Sequence, residues 1–140
     1  INGGLRELSY PITMESHVKP ISMAEPDGAR IYRRSLIYLV EAAYEDVFHD
    51  GDLTVDHSVS SGGFFCQVLG RDPLNETELQ QLGERMRELV DADLPIKRIQ
   101  VPLEEAVAYF ADKGQTDKVR LLKYRNKPHL MLYEVADHRD

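Results

Sequence analysis

The chain has 140 residues, 42% apolar and 29% charged, with a formal net charge of −7. That length accommodates one domain, or one domain and a stub, with a core that dispenses with metal or disulfide staples. The composition excludes collagen-like and disordered chains, and no apolar run approaches a bilayer span. Nucleic-acid binders gain most of their affinity by neutralising phosphate, so in a chain this acidic any RNA contact has to come from a local patch. One cysteine, Cys66, forms no internal disulfide and implies a reducing, cytoplasmic setting. The chain opens on Ile1 with no signal-peptide pattern, and is expected to begin inside a longer protein.

Asn2-Gly3-Gly4 is a turn signature, and Leu5 to Ile12 and Val18 to Met23 read as two short strands. Two strands alone are marginal in water, so this piece requires a partner. Glu25-Pro26-Asp27-Gly28 then makes a turn and marks the expected boundary between residues 1–25 and 26–140. From Ala29 to Phe48, Leu36, Leu39, Val40, Ala43, Tyr44 and Val47 recur at three- and four-residue steps. This spacing predicts an amphipathic helix, which Asp50-Gly51 stops.

Leu53, Val55, His57 and Val59 alternate with polar residues, as in a half-buried strand. Ser60-Ser61-Gly62-Gly63 turns the chain into a second strand, Phe64 to Leu69. Asn75 with Glu78 is a capping box ahead of a helix carrying Leu79, Leu82, Met86, Leu89 and Val90. Asp93-Leu94-Pro95 ends it, and Ile96 to Val101 is a short strand. Pro102 opens a helix through Phe110, closed by Gly114. Thr116 caps a short helix through Leu122, and His129 to Val135 is the last strand. This order of elements predicts an α+β fold, an antiparallel sheet with helices packed on one face.

Catalytic motifs are absent. There is no G-x-x-x-x-G-K-[ST], no G-x-G-x-x-G after a strand and no G-x-S-x-G elbow. Gly62-Gly63 reads as a tight hairpin turn rather than a phosphate cradle. Among His17, His49, His57, His129 and His138, no two share a helical face as H-x-x-x-H. His57 and Cys66 lie on facing strands of the expected hairpin, but two ligands fall short of the three a metal site needs. No metal ligand set and no catalytic residue is therefore assigned. The adjacent acids Glu104-Glu105 suit the positive end of a helix.

Two basic clusters stand against the acidic background. Arg30, Arg33 and Arg34 crowd the start of the first helix. Lys118, Arg120, Lys123, Arg125 and Lys127 place five positive charges in ten residues, with Tyr124 among them and no acid. Such a patch suits a phosphate backbone with a base stacked on the ring. It equally suits a solvated helix end favoured by the helix dipole.

The strings Asp27-Gly28-Ala29-Arg30-Ile31-Tyr32-Arg33-Arg34-Ser35-Leu36, Val55-Asp56-His57-Ser58 and Ser61-Gly62-Gly63-Phe64-Phe65 resemble the second additional domain of threonyl-tRNA synthetases. Asp93-Leu94-Pro95-Ile96, Glu104-Glu105-Ala106 and Gly114-Gln115-Thr116-Asp117-Lys118-Val119 continue the likeness, which runs from about Asp27 to Val135. Asn2-Gly3 and Leu5-Arg6-Glu7-Leu8 are similar to the closing strands of a TGS domain, a small ubiquitin-like module. In the synthetases the first helix carries an H-x-x-x-H half-site for hydrolysing mischarged tRNA. Here those positions hold Arg34 and Tyr38. Arginine ligates no metal, and tyrosine lacks the neutral nitrogen donor. The family's C-x-x-x-H would fall at or beyond the last residue.

A second group has the same two modules ahead of a P-loop: bacterial uridine-kinase-like nucleoside kinases. Ile31-Tyr32-Arg33-Arg34-Ser35-Leu36, Thr54-Val55-Asp56-His57-Ser58 and Leu121-Leu122-Lys123-Tyr124-Arg125 resemble that group more closely. The resemblance implies a non-catalytic regulatory or RNA- or ligand-binding module, with the kinase domain of the same parent chain as partner. ATP and magnesium belong to that domain, and no cofactor to these residues. Arg34, Tyr38, His57 and Cys66 then line a remnant of the editing cleft, open to tRNA or a nucleotide. Two alternatives stand beside it, a synthetase-like editing domain and a structural spacer that dimerises.

Overall fold

The computed structural model describes residues 1–60 and 62–140. They form two compact bodies, Ile1–Ile37 and Tyr38–Asp140. In the first body the two strands expected between Leu5 and Met23 are not formed. The segment is tied instead at Asn2, whose N–H donates to the His17 carbonyl at 2.9 Å and whose Oδ1 accepts the His17 N–H at 2.9 Å. Pro11 and Pro20 each remove an amide donor, and Leu8, Met14 and Met23 are exposed. A two-stranded ribbon with no face to bury does not hold a ladder.

Helix α1 (Pro26–Val47) starts in this body, with Pro26 at its first position and Asp27 in its first turn. Gly28 is required there, since a Cβ would stand 2.0 Å from the Ser22 carbonyl oxygen.

The second body holds the rest of α1 and β1 (Asp52–Ser58), β2 (Phe64–Leu69), α2 (Glu76–Asp91) and β3 (Lys97–Pro102). It continues through α3 (Leu103–Asp112), α4 (Thr116–Leu122), β4 (His129–Val135) and β5 (His138–Arg139). The α+β class and the order of elements are as the sequence predicts. The two-residue β5 is additional, reached through Ala136 at φ 49°, a left-handed turn with no glycine or asparagine to announce it. The strands form two antiparallel sheets, β1-β2 and β3-β4-β5. Val59 and Gly63 close the β1–β2 turn by a 2.9 Å bond, and Ser61, part of the expected turn, lies outside the described residues.

The Asn75 capping box is formed, with Asn75 Oδ1 accepting the Glu78 N–H at 3.0 Å and Glu78 Oε2 accepting the Asn75 N–H at 2.9 Å. Pro102 ends β3 and precedes α3 rather than opening it, and Gln115, not Thr116, occupies the cap position of α4.

Two apolar clusters hold this body together. Tyr38, Ala42, Ala43 and Tyr44 of α1 meet Leu82 and Leu89 of α2, with Leu53, Val68 and Val135 against them. Val101, Leu130 and Leu132 meet Ala106 and Phe110 of α3 and Leu122 of α4. β4 therefore serves both clusters, Leu130 and Leu132 on one face and Val135 on the other, as strand alternation requires.

Gly51 closes α1 onto the hairpin at φ 73°, where a Cβ would sit 2.7 Å from both the Leu69 carbonyl oxygen and Arg71 Cγ. Gly70, at φ 84°, has nothing nearer than 3.7 Å. Gly70→Ala is expected to carry left-handed strain alone, about 1 kcal/mol, and Gly51→Ala to cost roughly 1–3 kcal/mol more by overpacking. Denaturant unfolding of the two variants checks the order.

Candidate functional site

Tyr38 is buried, and its hydroxyl lies between backbone groups of β4 and β5. The hydroxyl donates to the His138 carbonyl at 2.6 Å, with the Tyr133 carbonyl at 3.0 Å, and accepts the Val135 N–H at 3.2 Å. Burial pushes its phenol well above the ordinary value, so no phenolate base forms there near neutral pH. From α3, Tyr109 does the same from its own side, donating to the Asp137 carbonyl at 3.3 Å and accepting the Arg139 N–H at 3.1 Å. Two tyrosines thus pin the β4–β5 hairpin.

One turn along α1, Glu41 is half-buried. Burial pushes its carboxyl above the usual range, Asp140 adds to the rise and Lys118 opposes it. Lys118 pairs with Asp140 and lies 5.0 Å over the Phe110 ring. Burial also pushes the Cys66 thiol up, with the Glu41 charge adding to it. A thiol held protonated is not an activated nucleophile.

Further along α1, His138 is buried between two carboxylates, Nδ1 3.1 Å from Glu45 Oε2 and Nε2 2.9 Å from Asp46 Oδ1. A neutral imidazole donates from one nitrogen only, so satisfying both carboxylates requires the imidazolium. The Glu45 hydrogen bond leads in raising the His138 pKa, and the His138 bond leads in lowering that of Glu45. Lys113 reaches Glu45 at 3.2 Å and Arg85 reaches Asp46 at 2.9 Å, while Gln115 Nε2 donates to Glu45 at 3.2 Å.

The residues assigned from sequence are not all brought together. A bulge between Val55 and His57 shifts the register, so His57 pairs with Phe65 and Cys66 with Val55. The expected facing of His57 and Cys66 is thereby corrected. His57 is exposed, stacks on Phe65 at 5.3 Å and lies 3.4 Å from Asp56. Arg30, Arg33 and Arg34 belong to the first body and are exposed, with Arg30 paired to Asp27 at 2.6 Å. Among the described residues no group of three His, Cys, Asp or Glu side chains is arranged to hold a metal ion. No helix described is long and apolar enough to cross a membrane.

The basic run divides. Lys118 is held by Asp140, and Arg120 pairs with Asp117 at 3.1 Å. Lys123, Arg125 and Lys127, between α4 and β4, are exposed and have no ion-pair partner among the described residues. Tyr124 among them is 83% exposed and Leu121 beside them 71%. The carboxylates that organise the second body, Glu41, Glu45, Asp46 and Asp140, escape a sequence reading. Each meets at least one partner more than 60 residues away, which leaves no local spacing to find.

No protein-family profile matches the chain. It is 30% identical over 140 residues, 97% of its length, to the threonine–tRNA ligase of Syntrophotalea carbinolica, covering 22% of that protein. It is 30% identical over 122 residues to the threonine–tRNA ligase of Rhodospirillum rubrum, covering 87% of this chain and 19% of that protein. The Citrifermentans bemidjiense ligase is 29% identical over 98% of the chain and 21% of that protein. The chain spans about a fifth of the length of the curated relatives it matches. It is a threonyl-tRNA synthetase-like region, and these relatives give no support to the nucleoside-kinase parent.

The His138 pair sets a pH window. Its pKa is raised from 6.5, so its contribution to stability is full below that value and lost as pH rises through the folded value. The Glu45 pKa is lowered from 4.5, so its contribution is present above that value and lost as pH falls through the folded one. Thermal unfolding is expected to show the pair at full strength between about pH 4.5 and 6.5. His138→Asn should lose stability most in that window and least in alkali.

Proposed function

We propose that the chain is a threonyl-tRNA synthetase-like accessory module that binds RNA without deacylating aminoacyl-tRNA. The observation that carries this reading is Tyr38. At the second position of the family's H-x-x-x-H stands a side chain whose hydroxyl already serves three backbone groups of the β4–β5 hairpin. Its proton is committed to backbone carbonyls and one lone pair to the Val135 N–H, and burial holds it as the neutral phenol, without the basicity to activate water. An editing domain with that residue has a structural lock where its catalytic donor would be. The catalytically silent reading is therefore preferred over the deacylase.

RNA binding is supported by Lys123, Arg125 and Lys127, three exposed cations on one short loop beside the exposed Tyr124 ring. Cations with no carboxylate partner attract phosphate without first breaking an ion pair, and their counterions are released on binding. In this reading residues 1–25 are the closing part of a TGS module. They need the remainder of that module to form strands, which accounts for their exposed apolar side chains.

The parent reading rests on the resemblance of Ile31-Tyr32-Arg33-Arg34-Ser35-Leu36 and Leu121-Leu122-Lys123-Tyr124-Arg125 to the kinase group, a resemblance the threonine–tRNA ligase relatives do not support. We assign the module to a uridine-kinase-like parent, whose ATP- and magnesium-binding residues lie outside this chain and which receives the RNA or nucleotide signal. The native full-length protein should transfer phosphate from ATP to uridine and fail to threonylate tRNA. Threonylation would return the chain to a ligase.

For the module itself, binding of fluorescein-labelled tRNA at a series of salt concentrations is the test. Three phosphate contacts give a slope of log K against log salt of about −3. The Lys123→Ala, Arg125→Ala, Lys127→Ala triple variant should lose most of that slope and at least tenfold in affinity at low salt. Mischarged seryl-tRNA should survive incubation with the wild-type chain. Release of serine above the uncatalysed rate would establish the deacylase instead.

A further inference from the structure

The three-stranded sheet has one face turned to α3 and α4 and one turned away. Ile99 pairs with Leu132 and Val101 with Leu130, and all four contribute to the cluster with α3 and α4. Strand alternation puts the intervening pairs on the opposite face: Arg98 with Tyr133, Gln100 with Met131, and Pro102 with His129. None of these six residues is acidic, in a chain with seven more negative than positive charges. All are solvent-exposed or partly so, Met131 at 41% and Tyr133 at 40%. Within the second body α1 meets this face at its Val135 end, where Val135 shares an apolar cluster with Tyr38 and Ala42 and its N–H donates to the Tyr38 hydroxyl.

Tyr133 is set rigidly for an exposed residue. Its N–H donates to the Asp140 carbonyl at 2.7 Å, and its own carbonyl accepts the Asp140 N–H at 2.9 Å and lies 3.0 Å from the Tyr38 hydroxyl. A ring on a backbone fixed this way loses little freedom when a flat partner stacks on it. The thioether of Met131 stands on the same face, two residues along β4. At its His129 end the face leads through Pro128 directly into the loop of Lys127, Arg125 and Lys123.

An apolar and aromatic strand face whose one adjoining acid, Asp140 opposite Tyr133, is already paired with Lys118, and which ends in unpaired cations, has the composition of a single-strand RNA platform. We propose that the outward face of β3 and β4 stacks unpaired RNA bases on Tyr133 and Met131, while the phosphates run onto Lys127, Arg125 and Lys123. The inference rests on the RNA-binding reading above and specifies its ligand as single-stranded, with its bases on a surface separate from the Tyr38 position.

The test uses the 140-residue chain and two labelled probes, an unstructured twelve-nucleotide uridine–adenosine RNA and a blunt RNA duplex. Tyr133→Ala should weaken single-strand binding about tenfold, the scale of one lost base stack, and leave duplex binding unchanged. Tyr133→Phe keeps the ring and should keep the affinity. Met131→Glu, at an exposed position that belongs to neither cluster, should weaken single-strand binding while thermal unfolding stays that of the wild type. The salt slope should survive Tyr133→Ala and fall in the triple loop variant. Full single-strand affinity in both Tyr133→Ala and Met131→Glu, with loss in the loop variant, overturns the platform and leaves RNA binding to the loop. No binding of either probe or of tRNA by the wild-type chain overturns both. Preference for an acidic peptide over RNA, with Tyr133 required, makes the face a protein-docking surface and overturns the inference.

Discussion

The Tyr38 hydroxyl, 2.6 Å from the His138 carbonyl and 3.2 Å from the Val135 nitrogen, fixes the last hairpin to the first helix across about 100 residues of chain. Much of the second body follows from that contact. It holds β5 where His138 reaches Glu45 and Asp46 of the same helix, and where Asp140 reaches Lys118 of α4. A buried hydroxyl and a buried strand amide satisfy one another there, so neither incurs the cost of an unpaired polar group. Tyr109 repeats the device from α3. The hairpin is too short to be stable on its own account, and its position is set by side chains that come to it from two helices.

The same contacts decide which charges are available to a ligand. The chain is acidic, and most of its cations in the second body are already committed: Lys113 to Glu45, Arg85 to Asp46 and Glu88, Arg71 to Asp50 and Glu78, Arg139 to Glu134 and Glu105. Lys118 joins them through Asp140. Lys123, Arg125 and Lys127 have no ion-pair partner among the described residues and are gathered on one short loop. The negative net charge lowers the affinity of the surface at large for a phosphate backbone, so the proposed RNA contact falls to that loop and what adjoins it. Local pairing, rather than total charge, selects the surface.

The helices of the second body and its first four strands were legible because their signals are local. The Asn75 capping box, the stripe from Leu79 to Val90 and the alternation from Leu130 to Val135 are each complete within a few turns or residues. The N-terminal strands failed because their apolar side chains stay exposed, and a strand pair that buries no face holds no ladder. The bulge at Asp56, which separates His57 from Cys66, follows no glycine, and nothing in the alternating pattern announces it. The carboxylate cluster around His138 was invisible, since its members are distant in sequence and each is unremarkable by itself. Arg34 and Tyr38 were legible only as departures from a resemblance, and what Tyr38 does with its hydroxyl had to come from the geometry.

β4 concentrates these constraints in seven residues. Leu130 and Leu132 face one apolar cluster and Val135 closes the other, while Met131 and Tyr133 are left outward by the same alternation. A shift of one residue in register would bury the tyrosine and methionine and expose both leucines. The Tyr38 bonds to Tyr133, Val135 and His138 oppose that shift directly, because they recognise backbone positions rather than side chains. Tyr38 thereby holds the outward face of the strand in register from a helix about 100 residues away in sequence.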